Sequence, residues 1–305
     1  MTVTIVSGPA VVSGRPSFEG ANIRTWIGFK HFMYLVEDAV HQWLREQGTT
    51  ARDLYLERGL GFGIVDCSVQ LPAVLEIDDE VTTTVTALRG ERLAVRMSVV
   101  RNGGTVTVLR GKVTVALVKE RSAACHRSAP PSLGVLEATA PVAEERRQLI
   151  PGQTAESVLT AQPGVFLWSW RVPYFYCQYS DRVQHSGFVR ALEEVVDRFL
   201  ADRGLSVGTL LTERSWIPVV SRARVSLVGD ARMEETVHTV FQVTSVLRGV
   251  MFDATMSCYV QRGSELVTVA RAQILHGYAI AAGPGAGGLA ELDAGIVAVL
   301  LGRQP

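Results

Sequence analysis

The sequence predicts an α+β fold made twice: one long helix followed by about four long antiparallel strands, then the same again. Three observations predict it. The run Phe32-Met-Tyr-Leu-Val-Glu-Asp-Ala-Val-His-Gln-Trp-Leu-Arg-Glu-Gln-Gly48 returns as Phe188-Val-Arg-Ala-Leu-Glu-Glu-Val-Val-Asp-Arg-Phe-Leu-Ala-Asp-Arg-Gly204, with Phe32, Trp43 and Gly48 matching Phe188, Phe199 and Gly204 at an offset of 156. Leu88-Arg-Gly90 returns as Leu247-Arg-Gly249 at an offset of 159, so three residues were gained between helix and strands. Val- and Thr-rich runs broken by turn signals follow each helix. A repeat of this length is a duplicated domain, because solenoid units run roughly 20–50 residues.

Taken in order, the first helix ends at Gly48 and the second at Gly204, glycine being the residue that most readily adopts the left-handed conformation past a helix end. In the second helix Phe188, Leu192, Val195 and Phe199 form one stripe, flanked by Val189, Val196 and Leu200, a broad apolar face at helical period. Strands are predicted over residues 63–74, 80–88, 93–101 and 105–118, with Arg101-Asn-Gly-Gly104 as a hairpin turn, since Asn and Gly tolerate positive φ. The second set is predicted over 216–228, 235–247, 251–261 and 266–280, with Arg262-Gly-Ser264 as the matching turn. Residues 121–164, which hold Pro130, Pro131, Pro141, Pro151 and Pro163, read as a linker with some helix near Ala143–Leu149. The predicted organisation is therefore a first half to residue 120, a linker over 121–164, a second half over 165–281, and a tail over 282–305. In that tail a Gly-rich stretch precedes a short helix expected to cover exposed sheet.

Composition removes several classes of function. Thirty basic residues balance thirty acidic ones among 305, so no basic excess points to nucleic acid or an anionic membrane. No apolar run approaches the roughly 20 residues of a membrane span. The N-terminus lacks a charged segment followed by an apolar one, so export is not expected. Cys67, Cys125, Cys177 and Cys258 show no Cys-x-x-Cys spacing and read as reduced thiols in a cytoplasmic protein. The six histidines do not cluster, and phosphate-loop, dinucleotide and nucleophile-elbow motifs are missing, so neither a metal nor a cofactor is predicted.

The halves differ just before the long helix. The second carries Tyr179-Ser-Asp-Arg-Val-Gln-His-Ser-Gly-Phe188, whereas the first has Thr25-Trp-Ile-Gly-Phe29 where the second has Asp181-Arg-Val-Gln-His185. This segment resembles the Asp-x-x-Gly-His-x-Asn motif of hotdog thioesterases of the 4-hydroxybenzoyl-CoA and acyl-ACP kind, with Gln184 in place of the glycine and Gly187 in place of the asparagine. His185-Ser-Gly187 followed by Glu194 also resembles a second hotdog branch, in which an acid follows the histidine by nine residues; Glu193 meets that position in the helix register. The resemblance covers roughly residues 15–118 and 166–280. It implies a tandem, or double, hotdog, each half a helix wrapped by an antiparallel sheet, as a monomer of paired hotdogs or a homodimer. It further implies an acyl-thioester hydrolase acting on acyl-CoA or an acyl carrier protein thioester, in fatty-acid or polyketide metabolism.

The chemistry stands beside the resemblance. A thioester carbonyl is polarised by N–H groups at a helix N-terminus, and Ser186 and Gly187 place such groups. A carboxylate can then attack or activate water, and a histidine can protonate the leaving thiolate. Asp181 and His185 are the candidates, with Glu193 or Glu194 as a further carboxylate. Gln178, Tyr179 and Gln184 are expected to line the site, and Asn22 holds the place of Gln178 in the first half. Blander roles compete: Asp181 as a turn or cap residue, Glu194 as part of an exposed ladder with Arg190 and Arg198, and His31 on the helix surface. Two other functions stay open. Asp-x-x-x-His also resembles the dehydratase double hotdogs of polyketide synthases, although their first-half histidine motif has no counterpart here. A non-catalytic acyl-binding or scaffold protein is the third.

Overall fold

A computed structural model describes residues 8–137 and 145–302. The first seven residues, on which the reading of export rests, and part of the predicted Ala143–Leu149 helix lie outside the described residues. In chain order the elements are β1 (Ala10–Gly14), β2 (Ala21–Ile23), β3 (Trp26–Ile27), α1 (Phe29–Glu46), α2 (Ala51–Arg58), β4 (Leu60–Gln70), β5 (Val81–Ala87), β6 (Arg92–Arg101) and β7 (Gly104–Lys119). There follow β8 (Arg146–Gln148), α3 (Ala155–Leu159), β9 (Phe166–Arg171), β10 (Cys177–Gln178), β11 (Arg182–Val183), α4 (His185–Asp202), α5 (Val207–Arg214), β12 (Trp216–Leu227), β13 (Thr236–Leu247), β14 (Met251–Arg262), β15 (Glu265–Ile280) and α6 (Ala294–Leu300).

The duplication is architectural. Elements that open at Ala10, Phe29, Ala51 and Leu60 have counterparts opening at Phe166, His185, Val207 and Trp216, each 156 residues on. Even a register break recurs, between Ile64 and Asp66 in β4 and between Val220 and Arg222 in β12. The described residues divide into two compact units. One takes Met1–Val142 with Pro173–Gly187, the other Ala143–Val172 with Phe188–Pro305. The lead-in to the second long helix thus belongs with the first unit.

In the first unit the antiparallel sheet runs β1-β5-β6-β7-β4. Side chains alternate across a strand, so Val81, Val85, Leu93, Val95, Met97, Val113 and Val115 are buried beside α1 residues Phe32, Val36, Val40, Trp43 and Leu44. Each such side chain contributes about 1.5–3 kcal/mol. His31, expected on the helix surface, is buried instead, its ring edge-on to Tyr34 at 5.2 Å. Helix register puts position 31 away from the stripe of Phe32, Val36 and Val40, and it is the lead-in that covers it: a Cβ on Gly20 would stand 2.9 Å from the His31 ring.

In the second unit the order is β12-β15-β14-β13-β9, with β8 added beside β15. Phe199 of α4 packs its ring at 5.1 Å from Phe241 and 6.1 Å from Phe166. The predicted linker carries more structure than its prolines imply. Residues 146–148 are a strand rather than a helix, pairing with Glu265–Val267, because Leu149, Ala155, Val158 and Leu266 close a small apolar cluster there. In the tail, Ala290 donates to the Tyr278 carbonyl at 2.8 Å, Asp293 caps α6 through the Ile296 N–H at 2.9 Å, and Ile296 and Leu300 are buried. The sequence reading missed α2 and α5. Each buries a single leucine, Leu54 or Leu210, so periodicity is weak, and the signal lies in the capping hydroxyls of Thr50 and Ser206. Among the described residues, no helix is long and apolar enough to cross a membrane.

Candidate functional site

The lead-in Pro173–Gly187 is built around a two-residue hairpin. Cys177 pairs with Val183 and Gln178 with Arg182, leaving Tyr179, Ser180 and Asp181 in the turn. Tyr179 sits at φ 59°, a conformation rarely taken by side-chain-bearing residues. Its ring lies 5.5 Å from Tyr55 and its hydroxyl donates to the Phe62 carbonyl at 2.9 Å. Burial pushes its phenol up to about 12, the nearby Glu120 and Glu37 carboxylates raise it further, and Arg182 opposes them.

The hairpin is fastened residue by residue to the end of β7. Arg182 donates to Glu120 at 2.6 Å, with both side chains buried. Asp181 pairs with Arg121 at 3.4 Å, and the Ser122 N–H donates to the Ser180 hydroxyl at 3.2 Å. Beneath it β4 is stripped of side chains. A Cβ on Gly61 would stand 2.0 Å from Glu120 Oε1 and 2.9 Å from the Tyr179 ring; one on Gly63 would stand 3.1 Å from Gln178 Nε2. Close approach is what requires glycine at position 61, while at Gly63 the neighbour is the end of a flexible side chain.

The structure therefore brings Asp181, Tyr179 and Gln178 together on the hairpin. His185 and Ser186 follow β11 and are buried at the start of α4, so Asp181 and His185 stand on either side of a two-residue strand. Gln184 ends the lead-in, its N–H donating to the Tyr176 carbonyl at 2.9 Å. Gly187 does not offer its N–H as expected: it donates to the Gln184 carbonyl at 3.0 Å, because this is where the helix ladder begins. Ser186, one residue earlier, lies in the first turn, whose N–H groups have no helical acceptor. A side chain at Gly187 would meet Val183 at 2.9 Å. Glu194 is held by Arg198 at 2.7 Å across one exposed helical turn, the ladder arrangement, while Glu193 is half-buried on α4. Asn22 lies exposed on β2.

Two residues of α1 join this neighbourhood without having been singled out in the sequence. Glu37 and His41 are one turn apart, hence on one helix face. The carboxylate of Glu37 acts on the Tyr179 phenol, and the His41 ring is edge-on to Phe62 at 5.4 Å. Burial, then Arg45, hold the His41 imidazole below its ordinary range, with Asp38 opposing. Their i, i+4 spacing was the available signal. Among the described residues, no group of three or more His, Cys, Asp or Glu side chains is placed to hold a metal.

Comparison with solved structures follows the same architecture. A protein from Lactobacillus plantarum described as an oleoyl thioesterase superposes with a TM-score of 0.58 at 10% identity, covering 90% of this chain and 98% of that one. The 12:0-ACP thioesterase of Umbellularia californica gives 0.57 at 12% identity, covering 88% and 94%. An acyl-ACP thioesterase of Bacteroides thetaiotaomicron gives 0.54 at 8% identity, covering 88% and 97%. The chain folds as a double hotdog. Near-complete coverage of each chain matches the two halves read from the repeat. No family model matches the sequence of this double hotdog, and no curated protein matches it.

Proposed function

We propose that this double hotdog hydrolyses acyl thioesters of CoA or an acyl carrier protein, in the cytoplasm and in fatty-acid or polyketide metabolism. The observation that carries the reading is the contrast between the two lead-ins. Where the first copy has Asn22, Thr25 and Phe29, the second has Gln178, Asp181 and His185, on a hairpin fastened by a buried ion pair.

In this reading the thioester carbonyl oxygen meets the Ser186 N–H at the positive end of α4. Asp181 takes a proton from water as the water oxygen bonds to the carbonyl carbon. The C–S bond breaks on collapse of the tetrahedral intermediate, and the departing thiolate takes its proton from His185. Gln178, Tyr179 and Gln184 line the approach; Glu193 and Glu194, the latter engaged by Arg198, are left out. A second assignment of the base has its own observation: Glu37 acts on the Tyr179 phenol, and one turn on His41 packs against Phe62, with burial lowering the affinity of its imidazole for a proton.

The test is a panel of acyl-CoA and acyl-carrier thioesters, including 3-hydroxyacyl forms, with free thiol and enoyl absorbance followed together. Thiol release lost in Asp181→Asn and retained in His41→Gln supports the first assignment; the reverse moves the base to α1. Enoyl formation without thiol would replace hydrolysis by dehydration. Silence in both channels would leave an acyl-binding protein.

A further inference from the structure

The second unit holds two polar groups where its own duplicate holds aliphatic ones. His276 and Tyr278 alternate on β15 and so share a face. They are 4% and 0% exposed. Among the described residues, neither His276 Nδ1 nor the Tyr278 hydroxyl meets a hydrogen-bond partner. The repeat identifies their counterparts. Gly61 pairs with Val118 and Ile217, 156 residues on, pairs with Ala279; stepping back along each strand aligns His276 with Val115 and Tyr278 with Leu117. Both counterparts are fully buried, so this position works as plain hydrophobic core in one copy.

The surroundings are otherwise apolar and aromatic. His276 lies 4.9 Å from the Phe252 ring and 5.6 Å from Tyr278, which stacks on Trp216 at 5.7 Å. Phe252, Ala254 and Ile274 are buried on the same paired strands. Leaving a donor and an acceptor unmet in such a place costs stability that valine and leucine do not. A partner that offers an oxygen on an apolar chain would satisfy both.

We propose that His276 and Tyr278 form a polar subsite inside the second unit that binds a hydroxyl or carbonyl oxygen carried on an acyl chain. The proposal rests on the acyl-thioester reading and narrows its substrate class to oxygenated acyl groups. A hydroxyl can donate to one side chain and accept from the other, and a ketone can accept from the phenol. An unsubstituted chain leaves both unmet, which is the situation in which a site rejects the analogue lacking the polar group.

Calorimetric titration of the full chain with free decanoic acid and with hydroxy- and oxo-decanoic acids, the oxygen placed at successive carbons, reads the subsite without turnover. The wild-type protein is expected to bind at least one oxygenated acid about tenfold or more tightly than decanoic acid. Tyr278→Phe, which removes one hydroxyl, and His276→Val, which restores the first copy's residue, should each erase most of that preference while leaving decanoic acid unchanged. Equal wild-type affinities across the series would overturn the proposal. So would a preference that survives both substitutions, with or without a rise in Tm, because the two groups would then be only a hydrated patch of core. Thiol release from the matching CoA thioesters is measured alongside. Cleavage without selectivity defeats the subsite and spares the hydrolase; selective binding without cleavage of any thioester does the reverse.

Discussion

A carboxylate held 3.4 Å from a guanidinium and still part-exposed, as Asp181 is beside Arg121, can reach water without being essential to folding, since such surface pairs are worth about 0–1 kcal/mol. Asp181→Asn is therefore expected to lower thiol release by about 10²–10⁴-fold while Tm stays near wild type. A fall in Tm large enough to account for the lost rate would return Asp181 to a structural role. His276 makes the opposite case. Burial holds its imidazole down to about 4 from an ordinary 6.5, so below about pH 6.5 the unfolded chain takes up a proton that the folded chain refuses. The stability this group protects is complete above the ordinary value and is lost as pH falls toward the folded one. Between about pH 7.5 and pH 5 the loss should come to about 2 kcal/mol. Urea denaturation at the two pH values reads it, and His276→Leu should remove that share of the difference; an unchanged pH dependence would mean that the ring is hydrated.

Among elements, the β10–β11 hairpin depends most on single contacts. Removing one member of a buried ion pair leaves the other charge stranded, at about 3–5 kcal/mol. Glu120→Gln should thus lower the urea midpoint strongly, and Glu120→Leu combined with Arg182→Met should recover most of the loss, because the cost lies in the unpaired charge. The floor of the hairpin gives an ordered pair of outcomes. Gly61→Ala puts a methyl 2.0 Å from Glu120 Oε1, whereas Gly63→Ala meets a flexible amide at 3.1 Å. The first should destabilise more than the second, and equal effects would mean that the ion pair is not seated over Gly61. None of this was legible beforehand. Glu120 and Arg182 are 62 residues apart and carry no local pattern that links them. The long helices and strands were legible because each repeats a period over seven or more residues. By contrast α2 and α5 bury one side chain each, and β8 is three residues long. At the site, Asp181 and His185 were visible as a motif. That Gly187 spends its N–H on Gln184 was not, because it depends on the residue at which the helix ladder begins.

Across the whole chain the two copies keep one architecture, and the proposed function divides its uses between them. The lead-in of the second copy exchanges Asn22, Thr25 and Phe29 for Gln178, Asp181 and His185, and its core exchanges Val115 and Leu117 for His276 and Tyr278, while bulges, caps and helix starts keep their spacing of 156 residues. Duplication frees one copy to accept groups that cost stability, provided the other side chains still bury enough apolar surface. Matched substitutions test that division directly. Asn22→Ala and Thr25→Ala in the first copy should leave kcat/KM for thioester cleavage within about threefold of wild type, a change under about 0.7 kcal/mol in transition-state stabilisation. Their counterparts Gln178→Ala and Asp181→Ala should lower it by about tenfold or more, with circular dichroism showing all four variants folded. Equal losses from both copies would mean that the two lead-ins work together, and the asymmetry of the repeat would then describe substrate fit instead of catalysis.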